Sequence, residues 1–284
     1  MSITKTAEQV DLTRSDASRW VIPEEKTRLR DQVWFQRLVI WGGLAVVWEI
    51  AGIIAGPFFI PRFSQVFIEM IAIFFNGNMV ILLNTLRQMF VGFVLAAVVG
   101  IPIGLLMGGF RRVNYVFGIF VNALFVTSLA ALLPFIIILF GTQFTFRVAI
   151  VFLFSVFYII INTAAGVRSV DADLLETATA FCTPRLRIFT RIILPAALPF
   201  VIAGLRLGLG HSIKGMIIAE LWITVGTGRR LVDLGLARNL PEFFALATWI
   251  VIISAGLTQL LLRFQKWLTP WAVDIIGIGA RRKK

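Results

Sequence analysis

Histidine, cysteine and tyrosine are nearly absent from this sequence, which holds one His, one Cys and two Tyr. One Cys excludes an intrachain disulfide, and a single His with a single Cys leaves too few ligands for a metal cluster. A membrane-embedded enzyme needs nucleophiles, bases or metal ligands around one cavity, and this composition disfavours it. No GxxxxGK[ST] phosphate loop occurs, so we expect no ATP hydrolysis, no catalytic residue and no cofactor in this chain.

Charged residues are also scarce, at 15% of the chain against 58% hydrophobic residues, and the mean hydropathy is +0.89. Apolar runs of about 20 residues can each cross the hydrocarbon core of a bilayer. The sequence therefore predicts an all-α membrane protein with about six transmembrane helices. The predicted spans are 38–55, 83–107, a third that ends at Phe140, 148–165, 198–222 and 244–262. We also expect a short surface helix at 64–75.

The predicted domains are a polar tail at 1–35, a transmembrane domain at 36–272 and a basic tail at 273–284. The first apolar run begins near Leu38, too far along for a cleaved signal peptide. The net charge of +12 would suggest nucleic acid in a soluble protein. Here the basic residues flank apolar runs, so membrane orientation and anionic lipid explain them better than nucleic acid does.

The distribution of Lys and Arg predicts which side of the membrane each loop occupies. Of the 27 basic residues, nineteen fall in the two tails and the loops on their side, and five fall in the opposite loops. The positive-inside rule then places both termini in the cytoplasm, together with the long loop at 171–195.

That loop holds two helix patterns in tandem, although it lies between two apolar spans. Asp171 or Asp173 fits the N-cap of the first helix, because a short side-chain oxygen accepts from the free N–H groups of the first turn. Pro184 fits the first position of the second helix. Apolar residues recur at helical spacing in both parts: Leu174, Leu175, Ala178 and Phe181, then Leu186, Phe189 and Ile193. We expect Arg185, Arg187 and Arg191 to stay exposed, and a partner protein to cover the apolar sides.

The same stretch resembles the cytoplasmic loop of permease subunits in binding-protein-dependent ABC importers. That loop reads Glu-Ala-Ala, three residues, Gly, nine residues, Ile, any residue, Leu-Pro. This chain has Glu176, Thr177 and Ala178, then Cys182 at the Gly place, and ends on Ile192, Leu194 and Pro195. The spacing is complete, and Thr177 and Cys182 are the two departures. Glycine there would allow a positive φ between the helices, so Cys182 leaves the inter-helix turn open.

The resemblance covers nearly all of residues 38–272 and is closest to the nitrate, sulfonate, taurine and pyrimidine-precursor branch of these type I importer permeases. It implies a multi-pass protein of the bacterial inner membrane. The implied partners are a second permease copy, cytoplasmic ATPase subunits that bind the ATP, and an external substrate-binding protein. The implied cargo is a small anionic or heterocyclic nutrient. The residues expected to couple to the ATPase are Leu174, Leu175, Glu176, Ala178, Phe181, Cys182, Arg185 and Phe189.

Glycine and charge inside the predicted spans suggest further roles. Gly100, Gly104 and Gly108 repeat every four residues, as do Gly204 and Gly208. Such faces allow close helix packing, although glycine is also simply tolerated in membrane helices.

His211 and Lys214 share a face near the middle of the fifth span. They either meet an anion on a translocation path, together with Asn122 and Ser128 of the third span, or pair internally with Glu49 or Glu220. Arg206 and Glu220 are alternatively expected to extend toward opposite interfaces. The polar side chains of the third span are alternatively expected to bond within their own helix.

A secondary transporter or channel that works alone is the rival function. It would show broken helices with charges near the midplane, and the pair His211 and Lys214 is its main support.

Overall fold

The computed structural model describes residues 29–56 and 59–268, and every regular element in those ranges is helical. Residues 1–28 and 269–284, which include most of both predicted tails, lie outside the described residues. The helices are α1 (Leu29–Ala55), α2 (Phe63–Phe75), α3 (Asn78–Gly109), α4 (Arg111–Val126), α5 (Leu133–Phe140), α6 (Phe144–Arg168), α7 (Ala172–Ala180), α8 (Arg185–Ile188), α9 (Leu194–Ile223), α10 (Gly226–Leu236) and α11 (Leu240–Leu268). A 3₁₀ turn covers Leu129–Leu132, and a π-turn covers Phe189–Ile193.

Four of these helical segments are long and apolar enough to cross a membrane: α3, α6, the continuous segment Arg185–Ile223, and α11. A fifth span forms if α4 and the segment Leu129–Phe140 count as one, although the two parts meet at 92°. The all-α membrane class is therefore confirmed. The first predicted span, 38–55, lies in α1, whose apolar part Val39–Ala55 falls among the shorter apolar helices. At 1.5 Å per residue it reaches about 25 Å, less than the roughly 30 Å of hydrocarbon.

The third predicted span is broken ahead of its proline. Pro134 does not interrupt a helix, because it lies in the first turn of α5, where no backbone donor is required. The chain instead leaves helical geometry at Thr127 and Ser128, whose ψ angles are 138° and 101°. The Thr127 hydroxyl donates to the Ala123 carbonyl at 2.8 Å and so closes the end of α4.

Helix α6 lies between α3 and α9 and contacts both along a glycine seam. On α3, a Cβ added at Gly104 would lie 2.6 Å from Cβ of Thr163, and one at Gly108 would lie 2.5 Å from Cβ of Val167. Gly100 faces Ile159 in the same way, at 3.1 Å. These glycines thus form a seam within one subunit, because only a missing side chain lets the backbones come so close.

The second seam lies on α9, which runs antiparallel to α6. A Cβ at Gly204 would lie 2.9 Å from Cβ of Asn162, and one at Gly208 would lie 3.0 Å from Cγ1 of Ile159. The two seams together hold α6 at the centre of the largest buried cluster. They therefore fix the rotation of α9, and with it the direction in which the polar residues of α9 point.

Short helices cover the end of the bundle opposite the 171–195 loop, which we call the far end. The surface helix predicted at 64–75 is confirmed as α2, and Glu49 of α1 holds its start. The Glu49 carboxylate accepts from the Ser64 backbone N–H at 3.0 Å and from the Ser64 hydroxyl at 2.9 Å. The Trp48 indole donates to the Pro61 carbonyl at 3.1 Å. Glu49 thus faces protein and supplies an acceptor to the first turn of a helix.

Glu220 holds the start of α10 in the same way, and this overturns the expectation that its side chain extends outward. The residue is 0% exposed. Its carboxylate accepts from the Gly228 backbone N–H at 3.0 Å and from the Thr85 hydroxyl of α3 at 2.7 Å. The Thr85 and Thr227 hydroxyls are 2.8 Å apart and hydrogen-bonded. Gly226 and Gly228 leave room for the carboxylate against the backbone, which the sequence pattern alone does not reveal.

A second carboxylate network at the far end was not foreseen from the sequence. Glu242 of α11 accepts from Asn78 at 2.8 Å, from Arg230 at 2.6 Å and from Asn239 at 2.9 Å. Leu231 and Leu234 of α10 are buried in one apolar cluster with Ala245 and Leu246 of α11, whereas Leu236 is 80% exposed.

We expect Gly104→Ala to destabilise the protein by about 1–3 kcal/mol, because the added methyl overlaps Thr163 in a packed seam. Gly109→Ala is the matched control, since a Cβ at Gly109 meets no atom within 4 Å. The thermal unfolding midpoint in detergent should fall for Gly104→Ala and stay level or rise slightly for Gly109→Ala. Equal midpoints for the two variants would contradict a close seam.

We expect Glu220→Ala to cost about 3 kcal/mol, because the Gly228 N–H and the Thr85 hydroxyl lose their buried acceptor. Asp233→Ala on α10 is the control, since Asp233 only pairs with Arg229 on the surface at 3.4 Å and such pairs contribute less than about 1 kcal/mol. The unfolding midpoint should drop by roughly 6 °C or more for Glu220→Ala only. A drop of the same size for Asp233→Ala would refute the capping role.

Candidate coupling loop and translocation path

The loop at 171–195 begins with a capped helix, as predicted. Asp171 is the N-cap of α7, and its carboxylate accepts from the Asp173 backbone N–H at 3.1 Å. Asp173, the alternative cap, lies in the first turn, where a negative charge suits the positive end of the helix dipole. The local sequence therefore sets where α7 begins, and α7 follows α6 after only three residues.

Cys182 ends α7 in the geometry that glycine usually provides. Its φ is +54°, the Cys182 N–H donates to the Thr179 carbonyl at 2.9 Å, and the Thr183 N–H donates to the Ala178 carbonyl at 3.1 Å. This pair of bonds is a Schellman motif with Cys182 in the left-handed position. The turn that the sequence left open is thus formed despite the substitution, at the cost of about 1–2 kcal/mol of backbone strain.

The second helix of the loop differs from the prediction. α8 forms one turn after its N-cap Pro184 and passes through the π-turn directly into α9, so Arg185–Ile223 is one continuous apolar helix. In the π-turn, the Leu194 N–H donates to the Phe189 carbonyl five residues before it. Pro195 explains this wider turn, because a proline ring has no N–H and clashes with the carbonyl four residues earlier.

The loop presents apolar side chains to solvent in the single chain. Leu174, Phe181 and Leu186 are 55%, 79% and 75% exposed. Of the other predicted apolar residues, Ala178 is buried, and Leu175, Phe189 and Ile193 are half-buried. Ile188, which the helical pattern did not single out, is buried at 7% exposure.

The polar residues of the loop are exposed as expected. Glu176, Arg185, Arg187 and Arg191 all face outward. Among the described residues, none of them forms an ion pair. The loop therefore combines an uncovered apolar patch with free charge, the composition of a docking surface.

A cavity of about 500 Å³ opens between α4 and the loop end of α6. Asn122, predicted on the path, lines it together with Asn114, Tyr115 and Arg168. Ser128, also predicted there, does not line it and is exposed at the break after α4. Asn114 and Arg168 were not foreseen, although both are polar residues at the loop ends of apolar helices.

Three rings form a stack beside this cavity. Phe125 of α4 meets Tyr158 of α6 edge-on at 5.0 Å, and Tyr158 stacks on His211 of α9 with ring centroids 3.8 Å apart. Phe125 is one turn beyond Asn122 on α4, so the stack lies next to the cavity, on the side toward the far end of the bundle. The rarity of tyrosine could have drawn attention to Tyr158 in the sequence.

His211 and Lys214 do not pair with Glu49 or Glu220, which corrects the internal-pairing alternative. Glu49 is bound to Ser64, and Glu220 is buried against Thr85 and Gly228. Capping of α2 and α10 occupies both carboxylates at the far end. His211 is half-buried by its stack and Lys214 is exposed, and contact of this pair with an anion stays a prediction.

Comparison with known proteins identifies the family. The model of the binding-protein-dependent transport system inner membrane component matches residues 100–273. A probable ABC transporter permease protein of Brucella melitensis is 30% identical over 76% of this chain and 89% of its own length. The taurine transport system permease protein of Escherichia coli is 29% identical over 82% of this chain and 87% of its own.

A third relative, the bicarbonate transport system permease protein of Synechococcus elongatus, is 32% identical over 63% of this chain and 64% of its own. The family match covers more than half of the chain and includes the whole of the loop at 171–195. The chain belongs to the binding-protein-dependent transport system inner membrane components and is a non-catalytic permease subunit of an ABC importer.

Proposed function

We propose that the loop at 171–195 is the surface that a cytoplasmic ATPase grips, and that both termini and this loop lie in the cytoplasm. The observation that carries the proposal is the exposed apolar patch of Leu174, Phe181 and Leu186 on a short rigid loop. Apolar side chains held in water by a Schellman turn and a continuous helix gain free energy when a partner covers them. Family membership supplies the partners, an ATPase and a substrate-binding protein.

The connection of the loop to the bundle suggests how force is transmitted. α7 follows the end of α6 after three residues, and α8 is continuous with α9. Because glycine seams pack α6 tightly against its neighbours, a displacement of the loop moves α6 and α9 together. ATP, bound by the partner, then shifts the permease between inward-open and outward-open states if the ATPase grips the loop differently in each state.

We further propose that two copies of this chain form the path and that the cargo is a small anion. Relatives of this chain are named for bicarbonate, for taurine and, in Bacillus subtilis, for aliphatic sulfonates. All three names denote small solutes that carry an acidic oxygen group. A transporter that works alone is disfavoured, because it has no partner protein to cover the exposed apolar side chains of the loop. Uptake that persists after deletion of the ATPase would favour that rival.

We predict that Phe181→Asp, and to a lesser degree Glu176→Lys, leaves the protein in the membrane but releases the ATPase. Loss of a central aromatic contact costs about 2 kcal/mol or more, which is about thirtyfold in affinity. Leu236→Asp is the matched control, since Leu236 is 80% exposed and Phe181 is 79% exposed, at opposite ends of the bundle. The measurement is ATP hydrolysis by the complex purified through a tag on this chain. Equal hydrolysis with Phe181→Asp and with Leu236→Asp would exclude the patch as the coupling surface.

We predict that Cys182 reacts from the cytoplasmic side and that the ATPase protects it. Cys182 is exposed and is the one cysteine of the chain, so thiol labelling of the natural chain measures the accessibility of this position. A membrane-impermeant maleimide should label inverted vesicles stripped of ATPase, label vesicles with bound ATPase several-fold more slowly, and leave intact spheroplasts unlabelled. Labelling of intact spheroplasts would reverse the proposed orientation.

A further inference from the structure

Arg206, Gly210 and Lys214 form a stripe along the middle of α9. They are spaced four residues apart, so they lie on one face of the helix, over about 12 Å of its length. Arg206 and Lys214 are exposed in the single chain. A Cβ at Gly210 would meet no atom within 4 Å, so open space separates the two cations. Gly204 and Gly208, each two residues before a member of the stripe, lie on the opposite face and are packed against α6 instead.

No carboxylate of the described residues neutralises this stripe. The acidic side chains in the described part of the chain are Glu49, Glu69, Asp171, Asp173, Glu176, Glu220, Asp233 and Glu242. Glu49, Glu220 and Glu242 are held in the far-end networks. The others lie on the 171–195 loop or on the short helices α2 and α10.

Unpaired cations in a membrane-spanning helix are expensive unless they meet water or an anion. The stripe lies beside the translocation features already described. His211 follows Gly210 directly, and its ring stacks on Tyr158. Because α9 runs antiparallel to α6, Lys214 lies on the far side of this stack, whereas the 500 Å³ cavity lies on the loop side. The ring stack thus separates the cavity from Lys214.

We propose that Arg206, Gly210 and Lys214 form an anion subsite of the translocation path, with Lys214 attracting the charged group of the cargo beyond the Phe125–Tyr158–His211 constriction. The class of ligand is a small sulfonate, carboxylate or other oxyanion. Gly210 provides the space that the anion fills, and the two cations flank it. This subsite rests on the proposed function, in which this chain forms the path.

The test compares an anionic thiol reagent, which carries the charge of the proposed ligand, with a cationic one. It does not require the cargo to be known. In a Cys182→Ser background, Gly210→Cys places one thiol between the two cations. The full chain in membrane vesicles is treated with 2-sulfonatoethyl methanethiosulfonate, which is an anionic sulfonate, or with the cationic 2-(trimethylammonio)ethyl reagent. The ratio of the two rates is the measurement. Because each ratio compares two reagents on the same thiol, changes in thiolate fraction cancel.

We expect Lys214→Gln to lower the anion-to-cation rate ratio about tenfold, the effect of one unit charge a few ångströms away in a partly hydrated site. Lys214→Arg should restore the ratio, which a purely structural role of the lysine stem would not predict. The natural Cys182, exposed on the loop at 171–195 in a chain that keeps Gly210, is the control thiol, and its ratio should not change with Lys214→Gln.

An anion-to-cation rate ratio at position 210 that is the same with Lys214 and with Lys214→Gln would overturn the subsite. Failure of both reagents to reach position 210 from either side of the membrane would overturn it as well. ATP hydrolysis by the tagged complex is measured on the same membranes. Normal hydrolysis without charge discrimination refutes the subsite alone, whereas loss of the ATPase complex from the unsubstituted chain refutes the proposed coupling.

Discussion

The close approach of α6 to the glycines of α3 and α9 is the constraint on which the rest of the structure depends. A missing Cβ at Gly104, Gly108 and Gly204 lets backbone and β-carbons come within van der Waals contact, and such contact supplies much of the attraction between helices in lipid. The seams fix the rotation of α9 about its axis. Arg206 and Lys214 consequently face outward while Gly204 and Gly208 face α6. Since the loop at 171–195 joins α6 to α9, the same packing determines where that loop projects.

The far end follows a different rule, set by the backbone. Short helices near a membrane need acceptors for their first N–H groups, since neither lipid nor apolar side chains can provide them. Glu49 serves α2 and Glu220 serves α10. This use of the carboxylates explains why they are not available to His211 and Lys214. The two carboxylates that the sequence offered as internal partners for His211 and Lys214 thus act as structural caps, and no described carboxylate pairs with the cations of α9.

Sequence reasoning reached the helical class, four of the long spans, α2, the capped start of α7 and the exposure of the loop arginines, because each depends on local periodicity or on one cap residue. It missed features that depend on residues distant in the chain. The Glu220 site requires Thr85, more than a hundred positions away, and space left by Gly228. The Tyr158–His211 stack requires the register between α6 and α9. The π-turn before Pro195 shows a third limit. The sequence predicted a separate span from 198, whereas the structure has one continuous helical segment from Arg185 to Ile223.

The loop shows why a motif can tolerate substitution at its glycine. A Schellman turn requires a left-handed residue at one position, and Cys182 adopts it at φ +54° because two backbone hydrogen bonds and the restart at Pro184 hold it there. The strain is local and of the order of 1–2 kcal/mol, small against the packing of the helices on either side. A turn that is formed before any partner binds loses little entropy on docking. The pre-formed turn at Cys182 and the continuous helix through the π-turn both make the loop rigid. A rigid loop transmits a displacement imposed by a partner to α9, whereas a flexible loop would absorb it.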